Sequence, residues 1–217
     1  MQLTGWRGAI ADLSSDGRMF KVSWGKAMMW FFIVSDAFVF GAFIAAYAAA
    51  RIAAPGAWPD TGEIFALQLF GADIPLLLIA IMTFILISSS GTMALAVNYA
   101  YQGNKDKAYK LILATALLGA TFLGMQVFEW IELIGYGVRP WENPFGIPQF
   151  GSAFFMLTGF HGLHVTGGVL YLLWVTRKVK TGGYEREGNY EGVEIVGLYW
   201  HFVDLVWVFI FAFFYLI

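Results

Sequence analysis

The chain contains no cysteine, which excludes disulfide bonds, thiolate metal sites and thiol nucleophiles. Charged residues are also scarce, at 13% of the chain, against roughly 25% in a typical soluble domain. The small net charge of −2 argues against a nucleic-acid partner. Apolar residues are abundant instead, at 59% of the sequence. Most of the chain must therefore face hydrocarbon rather than water.

Five apolar stretches are each long enough to cross a bilayer as a helix, which takes about 20 residues. They lie near residues 27–50, 74–97, 108–133, 151–176 and 195–217. Each is too long for a strand, and none has the alternating pattern of a membrane barrel. The sequence therefore predicts an all-α fold, an integral membrane bundle of five transmembrane helices over 27–217. Residues 1–26 are mixed polar, without the apolar core of a signal peptide, and we expect a polar cytoplasmic N-terminal arm there.

The basic residues are unevenly distributed along the chain. Eleven of the 13 lysines and arginines lie in the N-terminal arm or in the connections after the second and fourth spans. Because basic residues are enriched on the cytoplasmic side of membrane helices, we expect a cytoplasmic N-terminus and a C-terminus outside. Several tryptophans near the predicted ends of spans fit the role of interfacial anchors: Trp24, Trp30, Trp58, Trp141 and Trp200.

Ionisable side chains inside the predicted spans are the main candidates for function, because they are costly in hydrocarbon and usually face the protein interior. They are Asp36, Glu129, His161, His164, His201 and Asp204, with Glu132 beside Glu129. At a rise of about 1.5 Å per residue, the histidines and aspartates share a layer in the cytoplasmic half of the membrane. Both glutamates fall nearer the outer side. We expect Asp36 to be protonated or paired with an imidazole across this layer.

Three interpretations fit this set of residues. Such groups are typical of an internal polar network that fixes helix packing. Paired histidines on facing helices also hold metals or haem in bundles, although three histidines without a Glu-x-x-His pattern disfavour that site. The third interpretation is a site that handles protons or binds a lipid head group. The pattern leaves the first and third interpretations open.

Several segments resemble a known family. The stretches GSAFFMLTGFHGLHVTGGVLYL and LYWHFVDLVWVFIFAFFYLI resemble the last two helices of subunit III of the haem-copper terminal oxidases. GMQVFEW resembles the Gln-x-x-Glu-aromatic segment of the preceding helix, and SSSGTMALAVNYAYQGNKDKAYKLI is similar to the helix and basic inner loop before it. MWFFIVSDAFVFGAFIAAY is similar to the helix with a buried Ser-acid pair. The resemblance covers residues 24–217.

The resemblance implies a non-catalytic subunit of a bacterial plasma-membrane complex that reduces oxygen in aerobic respiration and pumps protons. Subunit III stabilises the catalytic subunit and supports proton uptake. We therefore expect no catalytic, cofactor-binding or metal-binding residue in this chain, and haem and copper in partner subunits. The expected partners are oxidase subunits I and II, a small subunit IV, bound phospholipid and a respiratory supercomplex.

The sequence departs from the long family members in two ways. They have seven helices, with lipids held in a V-shaped cleft between the first two helices and the other five, whereas this chain resembles the five-helix bacterial form. We expect a neighbouring subunit to fill that gap. The buried acid is Asp36, where many cytochrome c oxidases have Glu, so a quinol oxidase is an alternative to a cytochrome c oxidase. Further alternatives are a nitric oxide reductase module, a transporter and a haem-carrying cytochrome.

Overall fold

A computed structural model describes residues 15–16, 22–54, 56–69, 72–187 and 189–216 of the chain. Five helices in this described part are long and apolar enough to cross a membrane, which confirms the predicted all-α membrane bundle. In chain order the helices are α1 (Trp24–Ala53), α2 (Thr61–Ile64), α3 (Leu77–Tyr101), α4 (Lys105–Gly135), α5 (Pro148–Lys180), α6 (Gly183–Glu187) and α7 (Glu191–Ile210). The short α2 and α6 lie in connections.

The membrane helices mostly extend beyond the predicted spans because polar residues and prolines set their ends. Ser23 caps α1 by accepting a hydrogen bond from the backbone N–H of Lys26 at 3.3 Å. Asn104 caps α4 in the same way, from Lys107 at 3.2 Å. Proline is favoured in the first turn of a helix, and α5 begins at Pro148. These signals lie outside the apolar runs, so hydropathy alone places the ends too far inside.

The second span begins later than predicted, at Leu77 rather than at residue 74. Residues Ala72–Pro75 form a strand, β4, that pairs antiparallel with β3 (Ala66–Leu69). Proline disfavours helical backbone in the residue before it, which keeps this segment extended. Leu76 then takes a left-handed conformation, with φ of 57°, before α3 starts.

The N-terminal arm lies mostly outside the described residues. Its described residues form β1 (Ser15–Asp16), the strand β2 (Val22–Ser23) that pairs with it, and the first turn of α1. At the other terminus, α7 continues as a π-helix over Phe211–Leu216, where Phe214 and Tyr215 are buried. The fifth span is therefore long enough to cross the bilayer, but its last turns are wider than those of an α-helix.

Helices α3, α4, α5 and α7 form the core of the bundle. Trp200 lies at its centre, 1% exposed, and its indole N–H donates to Ser89 Oγ at 2.8 Å. The prediction of Trp200 as an interfacial anchor is therefore wrong. Gly119 and Gly168 leave the space that its ring fills, a contact between distant segments that spacing along the chain does not reveal.

Helix α1 packs on the outside of this core, against α5 and α7. Only Phe40 and Tyr47 are buried among its residues, and its large apolar side chains are mostly exposed. Lys26 fastens its first turn to Glu194 of α7, with Nζ and Oε2 2.8 Å apart. Lys180 at the end of α5 lies over the Tyr109 ring of α4. The lysine-bearing starts of α1 and α4 and the end of α5 thus share one end of the bundle, called the basic end below.

Candidate functional site

Asp36 and His164 form a pair between α1 and α5. The Nε2 atom of His164 lies 2.6 Å from Oδ2 of Asp36, and both side chains are 13% exposed. His164 Nδ1 lies 2.8 Å from the backbone oxygen of Phe160, one turn earlier. Because a carbonyl oxygen only accepts hydrogen bonds, Nδ1 carries a proton. His164 Nε2 is therefore the ring nitrogen that faces the Asp36 carboxyl group.

Aromatic rings enclose this pair. The centroids of Phe160 and Phe40 lie 4.7 and 5.4 Å from the His164 ring, and Phe32 lies 6.4 Å away. Tyr199 of α7 donates from its hydroxyl to the backbone oxygen of His164 at 2.9 Å. The pair therefore sits in an apolar setting to which α1, α5 and α7 all contribute, where an ion pair or a shared proton is screened little by water.

His161 lies one turn before His164 but has a different environment. Its ring is fully buried and stacks on Trp207 with centroids 5.2 Å apart. Phe122 meets it edge-on at 5.8 Å. Neither ring nitrogen has a hydrogen-bond partner among the described residues. His161 therefore packs as an aromatic group in the core.

His201 and Asp204 lie on α7 where it faces α3. The Oγ of Ser90 is 2.6 Å from Nδ1 of His201, so the histidine pairs with a serine of another helix. Asp204 is 8% exposed, and its Oδ1 has no hydrogen-bond partner among the described residues. This group is separate from the Asp36–His164 pair, which lies where α7 faces α1 and α5.

Glu129 forms a third group with the C-terminal π-helix. It is 2% exposed and accepts hydrogen bonds from Gln126 Nε2 at 2.5 Å and from the Tyr215 hydroxyl at 3.1 Å. Glu132 is outside this group: its Oε1 accepts from the Tyr136 hydroxyl at 3.5 Å. The Glu129 group ties the end of the chain to α4.

Five of the six candidate residues therefore belong to three separate polar groups. The sixth, His161, belongs to none of them and packs among aromatic rings. Sequence reasoning did not select Ser90, Tyr215 or Gln126 as site residues, although each is a polar group within an apolar helix. The partners of Ser90 and Tyr215 lie 111 and 86 residues away along the chain, so spacing does not reveal them. Gln126 lies three residues before Glu129 on the same helix, so its spacing was an available signal.

The arrangement does not suit a metal or haem site. No group of three or more His, Asp or Glu side chains converges within the part of the chain that the structure describes. His164 is engaged by Asp36, His201 by Ser90, and His161 is packed among aromatic rings. Within the described residues, the donor set therefore does not fit haem or copper.

The sequence matches a family model described as cytochrome c oxidase subunit III over residues 6–217. The chain belongs to this family. A "Probable quinol oxidase subunit 3" of Staphylococcus aureus is 33% identical over 93% of each chain. One of Staphylococcus haemolyticus with the same description is 32% identical over the same shares. The chain is thus a multi-pass membrane subunit of the haem-copper oxidase family, and subunit III membership implies other oxidase subunits as partners.

Proposed function

We propose that the chain is the accessory third subunit of an oxygen-reducing, proton-pumping haem-copper oxidase, with haem and copper in partner subunits. In this role it stabilises the catalytic subunit and supports proton uptake. The observation that carries the proposal, beyond family membership, is the Asp36–His164 pair, at 2.6 Å between α1 and α5. A carboxyl group and an imidazole paired between two helices fit a supporting role better than a redox role.

The pair also has a structural part in this proposal. Helix α1 buries little of its own surface, so the polar contacts of Asp36, Lys26 and Tyr47 contribute much of its attachment. The Tyr47 hydroxyl donates to the Phe214 backbone oxygen at 3.4 Å. Losing the pair would loosen α1 from α5, and with it any partner surface that α1 helps to form.

The experiment is purification through an N-terminal tag in mild detergent, followed by a visible spectrum and mass spectrometry of the partners. Asp36→Ala should leave the haem content intact but lower the assembly of the complex or its endurance during turnover. Ser35→Ala is the matched control, because Ser35 is exposed and its hydroxyl, among the described residues, donates to the Phe32 backbone oxygen of its own helix. Normal yield and endurance of Asp36→Ala would contradict the proposal, and so would a wild-type chain that purifies alone.

The electron donor distinguishes two versions of this function. The family model's description favours cytochrome c, whereas the descriptions of the relatives favour quinol. Asp at position 36 resembles quinol oxidases and several bacterial cytochrome c oxidases. Oxygen consumption by the purified complex with reduced cytochrome c or with a quinol as the sole donor separates the two.

We further propose that the complex lies in a bacterial plasma membrane and that this chain binds a phospholipid. The relatives are bacterial. A pocket of about 550 Å³ at the basic end is lined by Trp24, Tyr171, Trp174, Lys178 and Glu191, among other residues. Aromatic walls and a lysine suit the phosphate and glycerol region of a lipid. Mass spectrometry of the intact complex should find less bound lipid in Lys178→Gln than in the wild type, and equal lipid would contradict the site.

A further inference from the structure

An open groove of about 490 Å³ runs between α4 and α5 on the surface of the bundle. Its walls are mostly apolar, and Gln126 of α4 and Thr166 of α5 are among the polar side chains that line it. This groove is distinct from the clusters around Asp36 and His201, and from the pocket at the basic end.

Gln126 has an unsatisfied oxygen at this groove. The side chain is 3% exposed, and its Nε2 is occupied by Glu129. Its Oε1 has no hydrogen-bond partner within the described residues. Nine residues separate Gln126 from the end of α4, about 14 Å along the helix, so this acceptor lies below the membrane surface. Water is scarce there, and an unpaired carbonyl oxygen is costly.

The α5 side of the groove carries three small residues among larger apolar ones. Gly159, Gly162 and Thr166 follow one another on one face. A Cβ on Gly162 would meet nothing within 4 Å, and one on Gly159 would meet only the Trp130 ring, at 3.3 Å. Small residues on a membrane helix let another helix approach closely. The groove thus combines room for a helix backbone with an unused hydrogen-bond acceptor.

We propose that this groove receives a transmembrane helix of another oxidase subunit, which donates a hydrogen bond to Gln126 Oε1 from a serine, threonine, asparagine or tryptophan side chain. A phospholipid acyl chain carries no donor, and lipid groups that do carry one lie at the membrane surface. A transmembrane helix can both fit the groove and supply a hydrogen-bond donor at this depth. The inference rests on the proposed assembly with an oxidase and adds where one partner docks.

Photo-crosslinking in native membranes tests this proposal. A benzophenone amino acid replaces Leu163 at the groove or, as the control, Phe84 on α3; these side chains are 71% and 72% exposed. The expected result is an adduct from position 163, and not from position 84, that maps to a membrane-spanning segment of an oxidase subunit. Adducts with lipid only, no adduct, or an adduct with an unrelated membrane protein would overturn the proposal.

A second pair of variants tests the fit of the helix. Gly162→Leu fills the groove, while Gly91→Leu adds the same side chain at an open position on α3. We expect Gly162→Leu to retain roughly fivefold less of the crosslinked subunit after purification, because the helix can no longer seat. Gly91→Leu should match the wild type. If the wild-type chain co-purifies with the oxidase but Gly162→Leu retains the crosslinked subunit fully, the docking proposal fails while the proposed function stands. If the wild type brings no oxidase subunit, the proposed function fails too.

Discussion

His161 and His164 lie one turn apart on α5, yet the core uses them differently. His164 takes part in a polar contact with Asp36, while His161 stacks on Trp207 without a hydrogen bond among the described residues. A phenyl ring can reproduce the stacking contact of His161, but it cannot replace the polar contact of His164.

We therefore expect His164→Phe to destabilise the protein by about 3–5 kcal/mol, the usual cost of removing one partner of a buried pair. His161→Phe should change stability by less than about 1 kcal/mol, since it keeps the ring stack and removes two unpaired nitrogens. Thermal unfolding of the purified complex measures both. Adding Asp36→Asn to His164→Phe should recover part of the loss, and equal losses for the two single variants would contradict this account.

Much of this chemistry follows from the sequence, but its partners do not. An aspartate in an apolar helix predicts a partner at its depth, and the structure pairs Asp36 with His164. The contacts of His201 with Ser90 and of Glu129 with Tyr215 depend on which helices are neighbours and how each is rotated. Neither quantity can be obtained from residue spacing within one helix.

At the scale of the helices, the packing of α7 depends on glycines in its neighbours. A Cβ on Gly119 of α4 would collide with the Trp200 ring and come within 2.9 Å of the Val169 side chain of α5. The contact between α4 and the Trp200 ring of α7 therefore depends on residue 119 having no side chain.

Gly119→Ala should destabilise the bundle by about 1–3 kcal/mol, the typical cost of overpacking a core. Gly124→Ala, on the same helix, is the control, because a Cβ there meets nothing within 4 Å. It should be neutral or slightly stabilising, since alanine is the better helix former. Fluorescence-detected size-exclusion chromatography after heating compares the two, and a stable Gly119→Ala protein would show that the core can shift to make room.

Hydropathy predicts the existence of the membrane helices better than their ends. The apolar runs identify all five spans, but caps at Ser23 and Asn104 and the strand before Leu76 set the boundaries. The error over Trp200 has a related cause: an indole near the end of an apolar run can anchor in the interface or fill a core. The glycines that decide between these roles lie on other helices.

For the molecule as a whole, the distribution of lysine and arginine predicts the orientation in the membrane. The absence of cysteine makes a direct test simple. Gln102 and Glu142 are exposed in connections at opposite ends of α4. In right-side-out membrane preparations, an impermeant maleimide should label Glu142→Cys but not Gln102→Cys, because the distribution of lysine and arginine predicts that the basic end faces the cytoplasm. Inverted vesicles provide the control and should reverse the pattern. The same pattern in both preparations would contradict the orientation.

The outer position of α1 has a consequence for biosynthesis. This helix leaves the ribosome before the other membrane helices, but its neighbours α5 and α7 come last, and Tyr47 meets Phe214 across 167 residues of chain. Helices α3, α4 and α5 follow one another and can pack as they emerge. Until His164 has been inserted, Asp36 has no imidazole to pair with. Newly made α1 must therefore remain in the bilayer with an unpaired carboxyl group until α5 is inserted. During this interval, insertion factors or quality-control proteases can recognise the incomplete chain.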